Sequence, residues 1–244
     1  MISIKTNIKD YLNSFTGEIK KQMEFSKLLA NNRVASLVRT NLQTEIRHVF
    51  DRPTPYIINS VKYKFGTKTW PTSDVHIEAF GGKGNSPEDI LFHQIWGGDR
   101  KIKKFEQRLR DVGILEQDKY IVPGARIRLN SYGNISSGQI TQILSILQAF
   151  PETGYLMNVN NLVKKYGKKK RKLPDIFVIK DNKQHLKPGI YQRKNRHIWP
   201  LLMFVKKPVY KKRFAFYDIA EVTVHESYEG IYRKSLFDAI ASIK

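Results

Sequence analysis

Between residues 17 and 50 apolar side chains recur at three- and four-residue steps: Val34, Leu37, Val38, Leu42, Ile46 and Val49. That spacing predicts one long helix with a single apolar stripe, and Arg33, Arg39, Glu45 and Arg47 fall largely off it. The helix must stop at DRPTPY, because Pro53 and Pro55 cannot continue it and disfavour helix in the residues before them. The period then changes. VKYKF (61–65) and VHIEA (75–79) alternate apolar with polar residues, the pattern of half-buried strands. ILFHQIW (90–96) is a short apolar run whose period does not separate a buried strand from a helical turn.

A helix is predicted behind Asp99 as its cap, carrying Ile102, Phe105, Leu109 and Val112 and ending at Gly113. Ser136 and Gln139 have capping-box spacing, and the helix behind them carries Ile140, Ile143, Leu144 and Leu147 and stops at Pro151. Residues 152–173 read as an exposed loop. DIFVIK, GIYQR and HIWPLLMFVK follow as three strands joined by short turns. Asp218 and Glu221 form a capping pair for a last helix, 218–242, with Ala220, Val224, Tyr228 and Ile231 on one face and Gly230 weakening it. Helix, strands, helices, strands, helix is an α+β order, not an alternating βαβ one. The expected architecture is a long N-terminal helix, a small mostly antiparallel β-sheet, an inserted helical segment and a C-terminal helix. Residues 1–244 are expected to form a single α+β structural domain with a helical and basic-loop insertion at about 98–172.

Charge changes the picture next. The chain has 43 Lys and Arg against 22 Asp and Glu, a formal charge of +21. Residues 160–213 hold eighteen of those cations and only Asp175 and Asp181, a balance of +16, leaving +5 for the other 190 residues. Charge concentrated in one region points to a polyanionic neighbour, most simply nucleic acid; the alternative is a solvated basic face. The run Lys164, Lys165, Lys168, Lys169, Lys170, Arg171 and Lys172 is its densest part and reads as a contact to phosphates or another anionic partner without base reading. No helix-turn-helix, RRM or zinc-finger pattern supplies sequence readout.

The chain has no cysteine, which excludes disulfides, thiolate metal sites and cysteine nucleophiles. No run of about 18 apolar residues predicts a membrane span, and MISIKTNIKDYLNSF has no secretory h-region, so a cytosolic origin is expected. GGKGNS (81–86) lacks the GxxxxGK[ST] spacing of a phosphate-cradling loop and reads as plain loop. LPDIFVIK resembles the PD…(D/E)xK pattern of metal-dependent nucleases, but Val178 stands where the second acid belongs. The six histidines include no i, i+4 metal pair and read as surface or interface residues; HESYE has Glu229 where a zincin has its second histidine. GxSxG is absent. No catalytic residue, metal or cofactor is expected.

FVKKPVYKKRFAFYDIAE (204–221) sets five cations among five aromatic rings before turning acidic. Tyr210, Lys211, Lys212, Arg213, Phe214, Phe216 and Tyr217 are read as a subunit interface or as the anchor of the last helix, since aromatics and arginine dominate both kinds of contact.

FDRPTPYIINSVKY, IWGGDRKIKKFEQRLRDVGIL, YGNISSGQITQILS, LKPGIYQR and FVKKPVYKKRFAFYDIAE together resemble a family encoded in the structural gene blocks of tailed bacteriophages. The layout is similar to neck and tail-completion proteins of the minor-tail-protein-Z type, from about residue 20 to the end. The resemblance implies a non-enzymatic virion structural protein at the head–tail junction, made in the bacterial host cytoplasm. It implies a homo-oligomeric ring around the DNA path, with other phage head–tail or tail proteins and duplex DNA, bound without sequence specificity, as partners, and no membrane. A closed ring needs a head-to-tail interface. A sequence-nonspecific DNA-binding module and a divergent metal-dependent nuclease stand as alternatives. The segment at 100–172 exceeds the smaller relatives.

Overall fold

A computed structural model describes residues 8–80, 85–149, 174–181 and 185–241. The stripe forecast at 17–50 lies on α1 (Ile8–Val49), which starts earlier than the apolar pattern required. Short α2 (Pro55–Ile58) follows, with the Thr54 hydroxyl accepting from the Ile57 amide at its start. Then come β1 (Val61–Lys64), β2 (Asp74–Ile77), α3 (Pro87–Ile95), β3 (Gly98–Asp99), α4 (Lys104–Asp111), β4 (Lys119–Pro123) and α5 (Ser137–Ile146). The chain ends in β5 (Asp175–Ile179), β6 (Gly189–Lys194), β7 (His197–Lys206), β8 (Val209–Tyr210) and α6 (Phe216–Ala241). The fold is α+β, with a long N-terminal helix, small antiparallel sheets and a C-terminal helix.

Packing divides the chain into two compact units, Met1–Leu91 with Arg213–Lys244, and Phe92–Lys212. The insertion read from the sequence closed at 172. The second unit also takes in β5 to β8; β5, β6 and β7 share one core with α4 and α5, and β8 pairs with β3.

In the first unit α1 and α6 pair antiparallel. The buried positions of α1 are Ser26, Ala30, Val34, Val38, Leu42 and Ile46, every fourth residue, with Ala35 beside them. Those of α6 are Phe216, Thr223, Ser235 and Ala239. Small side chains let the helices approach closely, and polar groups in the seam pair across it. Arg33 Nη1 donates to Ser235 Oγ at 2.9 Å, Asn41 Nδ2 to Thr223 Oγ1 at 3.0 Å, and Ser26 Oγ to Ser235 O at 3.3 Å. The face expected from apolar spacing is therefore corrected: Val224 is exposed, and the seam runs through residues chosen for size. The antiparallel β1–β2 pair, with Val61 opposite Ile77, carries the forecast alternation. The loop behind β1 is tied to α1, since Asn32 Oδ1 accepts from Gly66 N at 2.7 Å and Ser73 Oγ at 2.6 Å, and Trp70 on that loop stays exposed.

In the second unit β4, β7, β6 and β5 form an antiparallel sheet in that order. Leu109, Ile121, Ile143, Leu144, Ile190 and Leu202 make its core with α4 and α5. Pro200 sits inside β7, where a missing N–H would break a ladder. The register shifts there: Ile190 faces Leu202 while Tyr191 faces Pro200, so Leu201 is the extra residue of a bulge.

Several local expectations change. ILFHQI is helical, the last six residues of α3, with Leu91 and Ile95 buried one turn apart. Asp99 is not a helix cap but part of β3, paired with Val209. The cap of α4 is Lys103, and Glu106 supplies the carboxylate that reaches back to the Lys103 amide. Ser136 caps α5 as forecast, but Gln139 Nε2 turns away to Arg128 O at 3.1 Å, and α5 stops well before Pro151, with Gln148 at φ 55. The last helix begins at Phe216, which leaves Asp218 in the first turn, where it complements the helix dipole. Strand β4 had no forecast, because five residues ending in proline carry too little period.

WGGDR is explained by backbone geometry. Gly97 and Gly98 have φ of 77 and 91, the left-handed side that other residues adopt only at a cost. A Cβ on Gly97 would stand 3.2 Å from Tyr210 O, while one on Gly98 meets open space. Alanine at either position is expected to destabilise the second unit by about 1–2 kcal/mol, more at Gly97, read as a lower urea midpoint. Unchanged midpoints would remove the strain argument.

Candidate anionic-partner surface and helix anchor

The cationic run Lys164, Lys165, Lys168, Lys169, Lys170, Arg171 and Lys172 lies outside the described residues, as does GGKG at 81–84. The described part of the basic window has a definite form. From His185 to Arg213 the chain carries nine Lys or Arg and no acid. Strands β6 and β7 turn over at Asn195–Arg196, with Lys194 opposite His197 and Asn195 at φ 57. Residues Arg193 to Ile198 at this tip are all exposed.

Strand alternation sends the tip cations to both faces. On one face Arg193 lies over the Phe177 ring at 5.3 Å, and that ring stacks on Tyr191 at 5.9 Å. On the other, Lys194 lies over the Trp199 ring at 5.3 Å. Trp199 receives a second cation, Arg126, at 5.4 Å. Arg126 comes from the segment after β4, brought there because its amide donates to Pro200 O at 3.2 Å. Sequence reading passed over Arg126, which sits outside the basic window. The only signal was GARIR, two arginines just past a strand with a glycine bend.

Asp175, the acid of the nuclease-like phrase, lies on β5 and faces Arg193, with Nε to Oδ2 at 3.8 Å and both side chains more than half exposed. Among the described residues no three His, Cys, Asp or Glu side chains come together as a metal site. His93 departs from the surface expectation: it is buried, and its Nε2 accepts from the Lys101 amide at 3.3 Å.

Residues 210–217 divide between the two units. Tyr210 is half-buried and holds Gly98 in the short β3–β8 ladder, and Lys211 and Lys212 are exposed. Upstream, Lys207 pairs with Asp99, and the bond to that carboxylate raises the lysine pKa. In the first unit Arg213 Nη2 donates to Val49 O at 3.1 Å, a cation on the last carbonyls of α1. Phe214 is fully buried, edge-on to Phe50 at 6.2 Å and to Phe216 at 6.0 Å. Phe216 is buried and touches Tyr217, which is 58% exposed. Arg213, Phe214 and Phe216 thus hold the start of α6 to the end of α1 within one chain.

Buried chemistry in the second unit centres on Glu106, which is fully buried. Arg100 donates to its carboxylate, from Nη1 at 2.9 Å, and the Lys103 and Ile121 amides donate at 2.7 and 2.9 Å. Burial alone would raise this carboxyl; the Arg100 hydrogen bonds, then the two amides, outweigh it and hold the pKa below the usual carboxylate value. The arrangement ties the residue after β3, the start of α4 and β4 together.

Among the described residues no helix is long and apolar enough to cross a membrane. Comparison with protein-family models, with curated proteins and with solved structures finds no match to this chain.

Proposed function

We propose that the protein is a non-enzymatic structural subunit of a tailed-bacteriophage virion, placed at the head–tail junction as a neck or tail-completion component and closing into a ring around the DNA path. The observation that carries the reading is the cation-clad hairpin end of the β6–β7 pair, on a stretch of nine Lys or Arg without an acid. A subunit beside packaged DNA meets phosphates continuously, and a positive surface of that kind suits the place. The resemblance of the quoted phrases to a family of tailed-phage structural gene blocks, and of the layout to neck and tail-completion proteins, suggests the location. Tyr217, more than half exposed beside the buried Phe216, is an aromatic of the kind that anchors contacts between subunits.

Deleting the gene from its phage is expected to leave DNA-filled heads and separate tails, which the purified protein joins on addition. Electron microscopy of the lysate reads the result directly. Normal joined, infectious particles without the protein would overturn the proposal. The same hairpin favours a second reading, a DNA-binding module that works as a monomer. Native mass spectrometry separates the two, since a ring subunit forms closed oligomers alone or with its neighbour.

A further inference from the structure

We infer that the tip of the β6–β7 hairpin, with Arg126 beside it, is a finger for duplex DNA that grips phosphates on both sides of a groove without reading bases. The inference deepens the function proposed above and rests on it for the presence of DNA.

The cations are arranged for more than solubility. A merely solvated basic face leaves long side chains loose, each losing its freedom when a partner binds. Here Arg193 rests on Phe177, and Lys194 and Arg126 both rest on one aromatic system, Trp199. A ring under a cation holds its position at little electrostatic cost and lowers the ordering penalty of binding. Arg196 occupies the two-residue turn at the very end. Asp175 meets Arg193 across 3.8 Å with both groups exposed, a kind of pair that neutralises weakly.

Shape selects the partner. β5 flanks β6 as far as Arg193, and past that pair the tip, Lys194 to His197, continues as two strands about 4.8 Å apart; a two-stranded ribbon fits a DNA major groove about 12 Å wide. A ribbon entering end-on would set Arg193 toward one wall of phosphates and Lys194 with Arg126 toward the other. An acidic protein surface would need its carboxylates on two facing walls to satisfy the same cations. The tip holds Asn195 in a left-handed turn, which suits geometry and not base readout.

The test uses the full chain and short labelled duplexes of several sequences, with anisotropy measured across a salt series. Equal affinity for all sequences is expected. Replacing Arg126, Lys194 and Arg196 together with alanine should make the slope of log K against log salt shallower by about 2.5–3, at about 0.9 per phosphate contact. The charge-keeping pair Arg126→Lys with Arg196→Lys should restore most of the slope. If the triple variant does not fold, Arg196→Ala alone, at the exposed turn, should still lower the slope by about 0.9. An unchanged slope in these variants, or a slope carried wholly by substitutions at residues 164–172, overturns the inference. So does binding of polyglutamate, but not duplex, through the same residues. The head–tail joining assay reads the broader proposal separately: a variant that loses DNA affinity yet still joins particles removes the finger and leaves the subunit.

Discussion

Glu106→Ala is expected to destabilise the second unit by about 3–5 kcal/mol, the range for breaking a buried ion pair from one side. The substitution removes the acceptor of four hydrogen-bond donors at once: two from Arg100 and one each from the Lys103 and Ile121 amides. Arg100 has a side chain only 13% exposed and already packs against Tyr120 at 4.9 Å, so water cannot readily replace the carboxylate. Two amides are left without a partner, at about 1–3 kcal/mol each before relaxation. Urea unfolding reads the loss, and hydrogen exchange should accelerate most at Lys103 and Ile121. An unchanged midpoint would mean that the network is decorative.

The same carboxylate makes acid stability testable. Its folded pKa lies below the ordinary value, so its contribution is complete above the unfolded carboxyl pKa, about 4.3, and disappears as pH falls through the folded value. Glu106→Gln keeps the shape and cannot ionise. The stability difference between wild type and this variant should be constant near neutrality and shrink on acidification. A difference that grows toward low pH has the wrong sign and would sink the assignment.

Phe214→Ala is expected to cost the first unit about 3–5 kcal/mol, the range for deleting a fully buried phenylalanine. Its ring lies between Phe50, just past α1, and Phe216, in the first turn of α6. The cavity opens where the two longest helices begin their shared seam, and Arg213 beside it holds the Val49 carbonyl. The loss should be independent of protein concentration, because the contacts are within one chain. A variant of normal stability that fails only to oligomerise would return Phe214 to the subunit interface.

What could be read beforehand follows from how each signal arises. α1 was legible because its stripe repeats over many turns, and the β1–β2 pair because two runs alternate cleanly. The α6 seam was misread: apolar spacing picked out Ala220 and Val224, whereas close helix approach selects Ser235, Thr223 and Ala239, and size leaves no hydrophobic trace. Glu106 passed as one more charge on a charged helix. Its role depends on Arg100 and Ile121, six and fifteen residues away, meeting at one buried point.

The stretch 204–221 shows the same division. By itself the sequence determined the fold class, the break at the double proline and the regional excess of positive charge, since each depends on local sterics, short periods or simple composition. Only the tertiary structure decided that Phe214 turns inward, that Arg213 caps a helix ending far back in the chain, and that Arg126 joins Lys194 over one tryptophan ring. Those outcomes depend on which segments meet. Strand pairing and helix approach fix the meetings through contacts far apart in sequence, where local pattern carries no information.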